Sequence, residues 1–294
     1  MKSKLSLITI IIAFFLGSGC SKDKNDGASF KALFNFSVNG FVTNFSNFTD
    51  FRNYSGSYAD YVWDFGDGDT STLTSPSHIY SAIGEYQVTL TATKSGQTST
   101  FSDKVKITGP KINIEGDFID WEHIDFTYTS DDVNAILKRV KVFQFGRDIN
   151  FYVEGSPEMD FSEVQMFFNT DDNTSTGFQV GDFPMGSGAE YNFYGEGLGV
   201  YTEVNAHQGG PDDDDWDNIF SFDASDEDSS PDGGPSFSGV VNLPNGNKAI
   251  EFSFPWPLLG GASKSISFAI YDDNSGGTIP TSGDASSKFL KVEF

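Results

Sequence analysis

Apolar residues recur along most of this chain in short runs that alternate with polar ones, the period of half-buried β-strands and not of helices. From Phe30 to Thr108 such runs surround Tyr61-Val62-Trp63-Asp64-Phe65-Gly66-Asp67-Gly68. Gly109-Pro110 then punctuates the pattern, since proline after glycine does not continue a strand. Beyond it, strands are predicted at 112–114, 140–142, 149–153, 164–168, 191–194, 200–204, 219–222, 240–243, 249–254, 266–271 and 289–294. Gly146-Arg147-Asp148 and Pro244-Asn245-Gly246-Asn247 suit hairpin turns, and 131–139 suits a helical turn. Many short strands joined by turns predict an all-β chain of two tandem β-sandwiches, with domains at 30–109 and 110–294.

Composition agrees, with 30 phenylalanines and 31 glycines favouring strands and turns. The first residues read differently. Lys2 and Lys4 precede an apolar run from Leu5 to Leu16 and the small residues Gly17-Ser18-Gly19-Cys20, the layout of an export signal over 1–19. The run is too short and too terminal for a lasting transmembrane helix. Cys20 is the only cysteine, which excludes an internal disulfide and a thiol catalyst elsewhere.

Charge changes the picture most. Between Asp148 and Asn247 there is no lysine or arginine, yet the stretch holds 21 of the chain's 42 carboxylates. Such a surface repels itself unless its carboxylates are well solvated or bind cations. A net charge of −24 excludes nucleic acid as a partner, because phosphate contacts need lysine and arginine.

Three resemblances follow from the motifs. Trp63 to Gly68 closely resembles the signature of the PKD domain, and Pro76, His78, Tyr80, Gly84 and Glu85-Tyr86-Gln87-Val88-Thr89-Leu90 stand at that family's usual places. The resemblance implies an immunoglobulin-like sandwich serving as a spacer or weak contact module, with His78 bonded in a turn. Gly116-Asp117-Phe118-Ile119-Asp120-Trp121, the segment 140–153, the Asp-rich turn after Phe168 and Phe254-Pro255-Trp256-Pro257-Leu258-Leu259-Gly260 resemble carbohydrate-binding module family nine and related DOMON-like sandwiches. The insertion 211–235 departs from that pattern. The end of the export signal resembles a bacterial lipobox, with Gly17 where an aliphatic residue is usual. Ser21-Lys22-Asp23-Lys24-Asn25-Asp26 is similar to the tether of Bacteroidetes-type surface lipoproteins. These imply a chain lipidated at Cys20, tethered by 20–29, at the outer membrane and cell surface.

Candidate chemistry sits in the acidic stretch. Asp171, Asp172, Asn173 and Ser175 offer closely spaced oxygens before Gly177, the donor type calcium takes from a flexible loop; an Asx-rich turn is the alternative. Trp216, between Asp215 and Asp217, is a candidate sugar platform with flanking hydroxyl acceptors, or else covers the core edge. Tyr191, Tyr194 and Tyr201 are further ligand-binding candidates on a concave sheet face. The three histidines lack any metalloprotease, phosphate-loop or nucleophile-elbow pattern.

The expectation is a non-enzymatic surface lipoprotein that holds a neutral polysaccharide or glycoconjugate, with structural calcium and a glycan-uptake complex as a partner. The alternatives are a calcium-stabilised adhesion or scaffold module with a protein partner, and a glycoside hydrolase or lyase built on paired carboxylates.

Overall fold

The computed structural model describes residues 30–51, 59–261, 264–282 and 286–294, together with the backbone of the short strand Lys24–Asn25. Cys20 and the segment 1–19, expected to be an export signal, lie outside the described residues. The chain divides into two compact units between Gly109 and Pro110, and both are built almost wholly of strands.

The first unit contains β1 (Lys24–Asn25), β2 (Phe34–Asn39), β3 (Val42–Asn47), β4 (Asp60–Asp64), β5 (Thr70–Ser71), β6 (Ser77–Ile79), β7 (Gly84–Lys94) and β8 (Gln97–Ile107). They form two sheets, ordered β1-β8-β7-β4-β5 and β2-β3-β6. Trp63 is fully buried between them, with the Phe34 and Phe45 rings 5.1 and 5.3 Å away. Its indole N–H donates to the Leu73 carbonyl at 2.9 Å, so the large apolar body is buried without an orphaned donor. Gly66 has φ +82°, and a Cβ there would lie 2.8 Å from the Gln87 carbonyl oxygen, so only glycine fits this turn. His78 bonds Asp67 at 2.6 Å and stacks flat on Phe65. Burial opposes the Asp67 charge, but the His78 bond and the Asp69 N–H hold its carboxyl below the usual range. Tyr86 donates its hydroxyl to the carbonyl of Ala82 at 2.9 Å, the tyrosine-corner contact of such sandwiches.

The second unit contains β9 (Tyr128–Thr129), β10 (Leu137–Phe145), β11 (Asp148–Gly155), β12 (Glu163–Asn169), β13 (Tyr191–Glu196), β14 (Tyr201–His207) and β15 (Trp216–Asp223). After these come β16 (Ser236–Phe237), β17 (Val241–Asn242), β18 (Lys248–Pro255), β19 (Ser265–Asp272), β20 (Gly277–Ile279) and β21 (Leu290–Glu293). One sheet runs β16-β18-β11-β10-β9, with β17 also on β18. The other runs β15-β14-β13-β12-β19-β20, with β21 also on β19. Phe151, Phe168, Phe193, Phe252, Phe254 and Phe268 meet between them, many edge to face, as aromatic quadrupoles prefer. Two expectations fail locally. Residues 112–114 form no strand, and 137–139 open β10 instead of closing a helical turn, because Leu137 and Val140 are drawn into this core.

Two buried carboxylates pin loops to the sheets. Glu251 on β18 accepts the N–H groups of Glu115 and Gly116 and the indole N–H of Trp121. Asp272 on β19 accepts the N–H groups of Asp160 and Phe161, fixing Phe161 at φ +59°.

Candidate functional site

Strand alternation decides which side chains of the seven-stranded sheet leave the core. Val164, Met166 and Phe168 point inward, so Glu163, Gln165, Phe167 and Asn169 point outward. Phe193 and Val204 are likewise core residues, which puts Asn192, Tyr194 and Glu196 on the outer face of β13. The same parity places Tyr201, Glu203, Asn205 and His207 on the outer face of β14. Tyr194 stands opposite Gln165 on one side and Glu203 on the other; Glu196 stands opposite Glu163 and Tyr201.

The tyrosines and carboxylates of this face are bonded together. Tyr194 donates its hydroxyl toward Glu196 at 2.6 Å and Glu163 at 3.0 Å, and Tyr201 bonds Glu203. Hydrogen bonding to these carboxylates makes both phenols harder to ionise: Tyr201 is pushed up to about 12, and Tyr194 is raised further. The Tyr194 and Tyr201 rings lie 6.5 Å apart, inclined at 65°. Both are partly exposed, as are Gln165, Glu203 and Asn205. No lysine or arginine stands on β12 to β15.

Tyr191 does not join them. It lies three positions before Tyr194, hence on the opposite side of the strand, where it packs against the core with its hydroxyl close to Gly260. Alternation alone separates these two residues, and it also marks Gln165 and Glu163 as outward, which motif reading passed over.

Trp216 borders the face instead of standing free. The segment 178–189 folds over the outer side of β12 and β19, where Val180 and Phe183 pack with Phe167 and Ala269. Trp216 leans on this cluster, 5.6 Å from Phe178, 6.3 Å from Phe167 and 5.0 Å from His207. Its indole N–H is taken by Asp214 at 2.7 Å. Of the two expectations for Trp216, a sugar platform or a cover at the core edge, its half-buried and packed ring fits the second. Asp217 follows it on the strand and faces the other side, while Asp215 contributes a carbonyl to the Gln208 N–H.

The oxygen-rich turn is folded on itself. Asp171 accepts the Asn173 N–H and the Thr176 hydroxyl, and Asn173 accepts the Ser175 N–H. Asp172, at φ +61°, meets Lys291 at 2.7 Å. Lys291 is a basic partner from β21 that the lysine-free stretch around the turn does not reveal. Nearby, Glu190 accepts the Thr170 N–H through one oxygen while the other is buried without a partner. Burial pushes this carboxyl up to about 7, aided by the Asp171 charge against the Thr170 bond. Among the described residues, the grouping of carboxylates and histidine close enough to share an ion is Asp67, Asp69 and His78, in the first unit. No helix among the described residues is long and apolar enough to cross a membrane.

Comparison with known proteins bears on the first unit. Residues 42–109 match the family model described as PKD domain. The first unit carries a PKD domain. The same region resembles parts of curated proteases: it is 48% identical over 54 residues to a microbial collagenase of Vibrio alginolyticus, covering 18% of this chain and 7% of that protein. It is 41% identical over 56 residues to the pre-pro-metalloprotease PrtV of Vibrio cholerae, covering 19% and 6%. The chain thus spans less than a tenth of the length of these relatives. Among solved structures, the PKD1 domain of Vibrio anguillarum Epp matches at 28% identity and TM-score 0.27, over 30% of this chain and all of that one. A structure titled for the promiscuous specificity of carbohydrate-binding modules of the β-sandwich superfamily matches at 18% identity and TM-score 0.26, over 83% of this chain and 95% of that one.

Proposed function

We propose that this chain is a non-catalytic surface lipoprotein that holds a neutral glycan on the outer face of its seven-stranded sheet. In this reading the PKD domain is a spacer, Cys20 carries the lipid at the outer membrane, and a glycan-uptake complex receives the ligand. The observation that carries the reading is the Tyr194–Tyr201 pair, two part-exposed rings 6.5 Å apart with the amides and carboxylates of Gln165, Glu163, Glu196, Glu203 and Asn205 around them. Rigid aromatic faces receive the C–H side of a pyranose, while placed polar groups bond its hydroxyls and fix orientation. Carboxylates without lysine or arginine among them repel sulfated or uronic polymers, leaving neutral ones.

A glycan array probed with the whole mature chain tests this. Tyr194→Ala and Tyr201→Ala should each weaken binding to the glycan found by at least about tenfold, roughly 1.4 kcal/mol, with the melting temperature nearly unchanged. An empty array, or variants that bind as the parent does, ends the reading. The anchor is tested apart: Cys20→Ala should move the protein from membranes to the soluble fraction, and unchanged fractionation would defeat it.

A further inference from the structure

The outer face of the seven-stranded sheet is not a pit. Register links one outward residue per strand into a continuous transverse row. Ser221 on β15 stands opposite Glu203, Glu203 opposite Tyr194 and Tyr194 opposite Gln165; Gln165 stands opposite Tyr271 and Tyr271 opposite Thr278 on β20. All six are at least partly exposed. Every one is a hydroxyl, carboxylate, amide or phenol; none is basic or purely apolar. β15 and β20 end this path of the sheet, so the row reaches from one edge to the other. Five interstrand steps at roughly 4.8 Å make it about 24 Å long, the length of several linked sugar rings. Phe178 and Trp216, packed on Phe167 of β12, and Phe183, packed beside Tyr271, wall one long side of the floor.

From this geometry we infer that the glycan lies across the strands and is gripped along an internal stretch, not by its terminus. The inference rests on the glycan reading above and adds the form of the ligand: an extended, uncharged polymer segment of several units. A site for a chain end needs a closed side against which the last ring stops. The row of donors and acceptors here repeats strand by strand and ends at sheet edges. Successive rings meet polar groups strand after strand: Gln165 lies between Tyr194 and Tyr271, and Tyr271, though partly exposed, packs edge to face with Phe183 and bonds Asp182 through its hydroxyl at 3.4 Å.

The test measures binding of the whole mature chain to neutral hexasaccharides of glucose, xylose, mannose and galactose, to the matching disaccharides, and to the hexasaccharides after borohydride reduction of their ends. A hexasaccharide that binds should do so at least about tenfold more tightly than its disaccharide, and reduction should change its affinity by less than about twofold. Ser221→Trp, which obstructs the row at its edge, should weaken the hexasaccharide and spare the disaccharide; Tyr194→Ala should weaken both. Equal affinity for both lengths, or loss of binding on end reduction, would overturn the inference while leaving the glycan reading intact. Failure of all four hexasaccharides and their parent polymers to bind would remove that reading and this inference together.

Discussion

Trp121 donates its indole N–H to Glu251 at 2.8 Å, joining two buried side chains 130 positions apart. The same carboxylate receives the N–H groups of Glu115 and Gly116, so one acceptor of charge −1 closes the entry segment onto β18. Charge-assisted bonds of this kind are roughly twice as strong as neutral ones. Glutamine has one carbonyl oxygen and would turn an amide N–H toward the same donors. Glu251→Gln should therefore destabilise the second unit by about 2–3 kcal/mol, read as a lowered urea midpoint. An unchanged midpoint would mean that the entry segment is held by its apolar contacts alone.

Trp216 supports the wall of the candidate site more than it receives ligand. Its ring rests on Phe178 and Phe167, and truncating a packed aromatic removes those contacts and leaves a cavity. Trp216→Ala should lower stability by about 1–3 kcal/mol, less than a fully buried tryptophan would lose. Its effect on glycan affinity should be smaller than that of Tyr194→Ala. A normally stable variant with the larger binding loss would return Trp216 to the role of platform.

Glu190 gives the second unit a pH dependence of known sign. Its carboxyl sits at about 7 in the folded protein against an ordinary 4.5, chiefly through burial. Folding thus favours the protonated form. The stability this confers is full below pH 4.5 and is lost as pH rises to about 7, where the buried group must ionise. Glu190→Gln should match the parent near pH 4.5 and melt at a higher temperature at pH 8. Parallel melting curves for the two proteins across that range would show that the carboxyl titrates normally.

Lys291 supplies the countercharge that the oxygen-rich turn otherwise lacks, at 2.7 Å from Asp172. With Asp171 and Asn173 also engaged by the turn's own donors, thermal melts in chelator and in millimolar calcium should coincide. In Lys291→Met the turn loses its cation, and calcium should then raise the melting temperature by mass action. A calcium-dependent rise in the parent protein would establish the turn as a cation site despite the lysine.

What the sequence determined by itself is local. Trp63 to Gly68 specifies the PKD turn, because the buried indole and the positive φ of Gly66 are properties of those residues. Alternation of apolar and polar positions located most strands of the second unit, but motif reading groups Tyr191 with Tyr194 and Tyr201 on one face, and the core contacts of Tyr191 separate it from them. What only the tertiary structure decided is every relation between distant strands. The row from Ser221 to Thr278 exists because register sets which residues stand opposite one another, and β12 pairs with β13 and β19, which are far apart in sequence. Likewise Trp216 was legible as an aromatic among acids, but whether it stood free depended on the segment 178–189 folding over β12. Lys291 reaches Asp172 from 119 positions away. Periodicity acts through the backbone and is written along the chain, whereas pairing, coverage and countercharge arise from packing between segments whose separation in sequence carries no information about their distance in space.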